Sequence, residues 1–291
     1  MTSRRYLQLD VFADRAGAGN PLGVVFDTGD MDGAAMQAYA AWANLSETIF
    51  FLPPTMAAAD YRVRIFTPRS ELPFAGHPSV GAAWAALDSG LAHAPDGKLV
   101  QECAAGLLPI RIEQRADARL IHVRTPHARE MEVGHAHRTA LASALHGLAC
   151  GSLGPALWNN GPNWWLVQLA DATAVRSMLP DLPAIASLTR ASQAIGLAVF
   201  GRADASDHAL AVRAFCPADG IAEDPVTGSV NASIAALLHR NNALPAAGNS
   251  YIASQGRELG HDGKVEVQVD DDGEVWIGGQ VQAVIRGSVD W

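Results

Sequence analysis

The chain has 291 residues, of which 49% are hydrophobic and 18% charged, and its formal net charge is -9. That acidic balance, with no Lys/Arg-rich block, excludes a broad nucleic-acid-binding surface, so any anion site has to be built locally. No apolar run reaches the roughly 18 to 20 residues that cross a bilayer, and Cys103, Cys150 and Cys216 lack the CxxC spacing of a cysteine-built zinc site or the even number of a disulfide framework.

The start, MTSRRYLQLDVFAD, has no apolar core of signal-peptide type, and the expected location is the cytoplasm, with no membrane partner. YLQLDVFA and GNPLGVVFD read as two strands joined by the glycine-rich turn RAGAGNP. MDGAAMQAYAAWAN, ending at Asn44, carries alanines and larger apolar groups at helical spacing. LSETIFL and YRVRIFTP are rich in β-branched and aromatic residues and read as strands. HPSVGAAWAALDSG reads as a helix lined with Gly and Ala, which lets it lie close against a sheet, and short strands follow between Leu99 and Val123.

The chain then repeats itself. From Val63, VRIFTPRSELPFAGHPSVGAAWAAL sets a strand, a proline, an acidic loop, a glycine turn and an Ala-rich helix in order; VRAFCPADGIAEDPVTGSVNASIAAL, from Val212, repeats that order 149 residues later. GAGNPLGVVF and NNGPNWWLVQL form a weaker echo at a similar separation. Two related halves of about 140 residues follow from this, each able to bury its central helix in a mixed sheet.

The repeat also suggests where chemistry sits. A helix that opens on a small-residue loop has first-turn N–H groups without intrahelical acceptors, and an anion satisfies them at the positive end of the dipole. Gly76, His77 and Pro78 open one such helix; Thr227, Gly228 and Ser229 open the other. Read alone, these residues are equally an N-cap serine, a first-turn proline and glycines in tight turns. Glu47, between Ser46 and an apolar strand, is either an exposed edge-strand residue or a desolvated carboxyl able to accept and donate a proton near neutrality. Asp224 is either a substrate contact or the residue that holds the PVTG turn, and His77 is either a proton-transfer group or structural. The adjacent carboxylates Glu223 and Asp224, beside the PVTG turn, belong either to an ordinary capped turn or to half of a binding site.

Together, GNPLGVVFD, NLSETIFL, FTPRSELPFAGHPSVGAA, GIAEDPVTGSVNA and SQGRELGHDGKV closely resemble the PhzF-like isomerases of phenazine biosynthesis, which have a diaminopimelate epimerase-like fold, and the likeness spans nearly the whole chain. The resemblance implies an α+β protein of two similar domains, each a curved mixed β-sheet around a central helix, with the active site in the inter-domain cleft. The expected domains are residues 1–118 and 119–291, with a last strand near 280–291 returning to the first. The same resemblance implies that Glu47 is the general acid/base and that His77 and Asp224 complete the catalytic set. Ser46, Gly76, Gly228, Ser229 and Gly256 are implied to shape the substrate site. One departure stands out: where the family often has arginine after the glycine of its C-terminal motif, this chain has Gly260 followed by His261.

The activity implied is a cofactor-independent isomerisation of a small carboxylated metabolite, similar to that of 2,3-dihydro-3-hydroxyanthranilate, in a homodimer that needs neither metal nor nicotinamide. A one-base racemase or epimerase using Glu47, and a non-enzymatic small-molecule binder, are the alternatives. A two-thiol epimerase is disfavoured because neither AGHPS nor VTGSV contains cysteine. A metal hydrolase lacks a compact ligand pattern such as HExxH.

Overall fold

Parallel strand pairs need a crossover, and among the described residues every α-helix but the one at His135–Ala144 lies in such a connection. The computed structural model describes residues 2–116, 118–204, 207–245 and 248–291, without the side chains of residues 135 and 136. The first part of the chain forms β1 (Ser3–Val11), β2 (Asn20–Val25), α1 (Gly33–Ala43), β3 (Glu47–Leu52), β4 (Tyr61–Phe66), β5 (Glu71–Leu72), α2 (Gly76–Asp88), β6 (Lys98–Cys103), β7 (Gly106–Gln114) and β8 (Arg119–Arg124). There follow β9 (Arg129–Met131), α3 (His135–Ala144), β10 (Ala156–Asn159), β11 (Asn163–Gln168), α4 (Ala172–Ser177), α5 (Leu182–Ser192), β12 (Gly196–Arg202) and β13 (Leu210–Cys216). The chain closes with β14 (Ile221–Asp224), α6 (Gly228–Arg240), β15 (Ser250–Gln255), β16 (Gly263–Val269), β17 (Val275–Gly279) and β18 (Val281–Asp290).

These elements form an α+β fold with mixed sheets, divided into two compact units: residues up to Arg124 together with Gly278–Trp291, and Thr125–Ile277. In the first unit, β2–β3 and β4–β6 are parallel, bridged by α1 and α2, while β1–β2, β3–β4, β6–β7 and β7–β8 are antiparallel. The second unit repeats the pattern: β11–β12 and β13–β15 are parallel, and β10–β11, β12–β13 and β15–β16 antiparallel. β8 pairs with β7 from Ile110↔Val123 to Gln114↔Arg119, so a boundary at 118/119 cuts off a strand of the first sheet and is corrected to Arg124. β18 lies antiparallel to β1, from Ser3↔Asp290 to Val11↔Val281, with a bulge between Gln8 and Leu9.

At the centre of the first unit, α2 touches β1, β2, β3, β4, β6, β8 and β18. A helix enclosed on every side has to be slim and free of a polar face, and every residue from Gly76 through Ala83 is buried. Gly81 marks the tightest approach, since a Cβ there would lie 2.4 Å from Leu22 Cδ2 and 3.1 Å from Val11 Cγ2. On the outer side, α1 covers Val25, Phe50 and Phe66 with Met36, Tyr39 and Ala40. In the second unit, α6 is buried from Val230 through Ala235, while α4 and α5 help to cover Trp165, Val167, Leu197, Val199 and Phe215.

Gly81→Val is therefore expected to overpack the α2–β1–β2 contact and lower unfolding stability by about 1–3 kcal/mol. Urea denaturation checks this: the midpoint should fall with little change in slope, and an unchanged midpoint would contradict the close approach.

Candidate active site

In the first unit, helix-stop chemistry sets the position of Glu47. α1 ends at Asn44, which adopts the left-handed conformation (φ 51°) and returns its N–H to Ala40 O. Three residues later the chain enters β3 at Glu47, opposite Leu22 of β2, with β4 on the other side of the strand. β3 is thus an interior strand, and the Glu47 side chain is only 17% exposed, which removes the edge-strand reading. His77 is the second residue of α2 and is buried; its Nε2 lies 3.3 Å from Glu47 Oε2.

Burial pushes the His77 pKa down to about 3, so the imidazole is neutral at physiological pH. A neutral ring beside a carboxylate forms no ion pair with it. Nε2 and Oε2 are both buried and stand in contact without hydrogen-bond geometry, so the ring flanks one Glu47 oxygen without a charge that would make the carboxylate a poorer base. At 3.3 Å the two groups are close enough for a small reorientation to join them, as often happens in catalytic pairs once substrate binds.

The helices differ in how their starts are closed, and α3, which follows Gly134, lacks a side-chain cap as the two central helices do. Asp32, Asp171 and Asp181 cap α1, α4 and α5, accepting from the N–H of Ala35, Ala174 and Ala184. The two central helices have no side-chain cap: α2 follows Ala75 and α6 follows Thr227. Their first-turn donors are left for some other acceptor, at the positive ends of two buried dipoles. Gly76 and Gly228 are the first residues of these helices. Below the α2 end, Ser79 Oγ donates to Ala75 O (2.9 Å) and receives Gln101 Nε2 (2.9 Å).

In the second unit, strand alternation sends Glu223 and Asp224 to different tasks. Glu223 meets Arg213 through two bonds of 2.9 and 2.8 Å, both side chains being buried, and Arg213 Nη1 donates in turn to Val175 O and Met178 O near the end of α4. This carboxylate is spent on tying β14 to β13. Asp224 instead accepts the Thr227 hydroxyl at 2.5 Å, while its own carbonyl accepts Gln255 Nε2 at 3.1 Å. The turn is thus held through the Thr227 side chain, and the helix begins after Thr227, so Ser229 is not its N-cap. Ser229 Oγ accepts Trp164 Nε1 (3.1 Å), and its carbonyl accepts Asn160 Nδ2 (2.8 Å). Gly256 has φ 93°, and a Cβ there would stand 2.5 Å from Pro225 O, so glycine is required for the loop after β15 to lie against the Asp224–Pro225 turn. Gly260 (φ 81°) and His261 belong to the same loop, His261 N donating to Gly256 O.

The structure therefore brings Glu47 to His77, with Ser46 and Gly76 next to them in the chain, and gathers Asp224, Gly228, Ser229 and Gly256 around the start of α6. Sequence reading did not find Gln255, Gln101, Trp164 or Asn160. The available signals were that Gln101 and Gln255 both lie toward the end of the strand that follows a central helix, and that Gln255 falls within the SQGRELGHDGKV motif. Among the described residues, no group of three His, Cys, Asp or Glu side chains is arranged to hold a metal ion.

Two α+β units with the same strand pairings, each enclosing a small-residue helix with an uncapped start, define an epimerase-like protein. The model of the phenazine biosynthesis-like family, PhzC-PhzF, matches residues 9–287, and the chain belongs to that family. It is 34% identical to the trans-2,3-dihydro-3-hydroxyanthranilate isomerase of Pseudomonas aeruginosa, over 93% of this chain and 92% of that one. It is 33% identical to antisense-enhancing sequence 1 of Schizosaccharomyces pombe, over 99% of both. A PhzF-family phenazine biosynthesis protein from Bacillus anthracis superposes with a TM-score of 0.84 at 25% identity, covering all of both chains.

The neutral state of His77 has a measurable cost. Unfolding returns the ring to its ordinary value of 6.5, so between about pH 6.5 and 3 the unfolded chain holds a proton that the folded chain does not. The associated stability is fully present above pH 6.5 and is lost as pH falls through that window. Replacing His77 by Gln should reduce the drop in unfolding free energy between pH 7 and pH 5 by about 2 kcal/mol. Urea titrations at the two pH values measure it, and an identical pH dependence in both proteins would contradict burial of a neutral ring.

Proposed function

We propose that this chain is a cofactor-independent isomerase that moves a proton within a small carboxylated substrate, with Glu47 as the single proton carrier. The observation that carries the reading is the approach of a buried, neutral His77 to within 3.3 Å of the Glu47 carboxylate at the uncapped start of α2. Glu47 takes a proton from a substrate carbon; the C–H electron pair moves into the conjugated acid; the resulting glutamic acid returns the proton to another carbon of the same π system. No electrons are gained or lost overall. His77 keeps the carboxylate oriented through both steps while remaining uncharged.

The rest of the substrate is held by dipoles and hydrogen bonds. The open first-turn N–H groups of α2 and α6 suit a carboxylate and the charge that delocalises onto it during transfer. Asp224 supplies an acceptor for an amino or hydroxyl group. Ser229 already accepts a bond from Trp164, which leaves its hydroxyl proton for a ligand. The cysteines fit no thiol-based alternative: Cys103 and Cys216 are buried at strand ends and Cys150 is exposed, none of them in the first turn of a central helix.

The test uses trans-2,3-dihydro-3-hydroxyanthranilate and a panel of small unsaturated and amino carboxylic acids in deuterated water, with products and isotope content followed by NMR and mass spectrometry. A rearranged product supports isomerisation, whereas inversion with deuterium uptake and no rearrangement would indicate a racemase. On the acid that reacts, Glu47→Gln should keep the fold and most of the binding but lose turnover by roughly 100- to 10,000-fold. A folded, binding variant that works at nearly the parent rate would overturn the assignment.

A further inference from the structure

One buried side chain beside α6 has all of its hydrogen-bonding capacity engaged, yet it belongs to none of the groups discussed as reacting or binding. Gln255 is the last residue of β15, lying between Val212 of β13 and Gly263 of β16, and it is fully buried. Its Oε1 accepts from Thr227 N at 3.0 Å and from Asn231 Nδ2 at 3.1 Å. Its Nε2 donates to Thr227 Oγ1 at 2.9 Å and to Asp224 O at 3.1 Å. Exchanging the amide oxygen and nitrogen would set an NH2 against a backbone N–H and an oxygen against a carbonyl, so the network admits one orientation.

This orientation decides where the proton of Thr227 goes. The hydroxyl oxygen is already an acceptor from Gln255, and its single proton has Asp224 Oδ2 at 2.5 Å. A donor held in place there favours the ionised carboxylate and fixes its rotamer at the first turn of α6. The other ionisable groups nearby are Glu223 on the same strand and Arg213 on β13, which pair with each other, and Arg257, Glu258 and His261 in the loop after β15. Of these, Arg257 is bound to Asp262 and Asp207, and Glu258 to Arg176. In the first unit Gln101 plays a comparable part below α2, receiving Tyr61 Oη and donating to Ser79 Oγ.

We infer that Gln255 is a positioning residue, which through Thr227 orients the Asp224 carboxylate and keeps it a hydrogen-bond acceptor for substrate. The link to substrate rests on the isomerase reading; the control of Asp224 does not. The test is accordingly free of ligand: carbon-13 NMR titration of the Asp224 carboxyl in the full-length protein and in folded variants. Thr227→Val should raise the Asp224 midpoint by about one pH unit, a tenfold change in proton affinity. Thr227→Ser, which restores the hydroxyl, should return it to the parent value. Gln255→Met should raise the midpoint in the same direction, and the double variant Thr227→Val/Gln255→Met should exceed the single variants by little, because both act through one bond. An Asp224 midpoint that does not move in folded Thr227→Val overturns the proposal, and so does a shift in Thr227→Val that Gln255→Met fails to share. A failed substrate screen would leave this outcome untouched, so the two readings fail separately.

Discussion

Desolvation of the first turn of α2 is the constraint on which the rest of the candidate site depends. A helix enclosed by its own sheet can carry only small or apolar side chains, and its end has to be satisfied without the water that serves exposed helices. The run from Gly76 through Ala83 meets the first demand, with Gly81 admitting Leu22 and Val11. Placed in that turn, His77 loses its affinity for a proton, and the residue it faces is the carboxylate at the start of β3. The same burial that packs the core therefore sets the protonation state of the site.

The second unit solves the same problem with different side chains. α6 is also enclosed and also lacks a side-chain cap, but its first turn is braced by Gln255, Thr227 and Asn231. The adjacent carboxylates show how one strand serves both structure and chemistry. Glu223 neutralises a buried arginine that fastens β13 to the α4 region, and losing either partner would strand a charge in the interior. Asp224, one residue on, accepts the Thr227 hydroxyl at the start of α6. By contrast, the peripheral helices α1, α4 and α5 close their own ends with aspartates, which is what a purely supporting helix does.

Much of this was legible in the sequence where the signal is local. The Gly/Ala stripe of HPSVGAAWAAL, the stop at Asn44 and the two related strand–turn–helix segments each express a short-range rule, and the structure has elements at those places. The resemblance to a known family was legible as well, through five motifs in fixed order. What escaped depends on pairings distant in sequence. β8 was assigned to the wrong unit because its ties to the first unit, the register with β7 and the packing against α2, do not show in the sequence pattern. The roles of Gln255 and Gln101 were hidden: a glutamine at a strand end looks like a solvated residue until the parallel pairing with β13 or β4 brings it beneath a helix start. The edge-strand reading of Glu47 was removed the same way, by a β4 partner that makes β3 an interior strand.

The central proposal is that His77 stays uncharged and turns a protonated Nε2 toward Glu47. Nitrogen-15 NMR of the His77 ring in the intact protein tests it most directly. A neutral imidazole with its proton on Nε2, persisting from pH 8 to below pH 5 and perturbed at that nitrogen by Glu47→Gln, is the expected result. An imidazolium at pH 7, or a neutral ring with a bare Nε2 accepting a proton from Glu47, would contradict it.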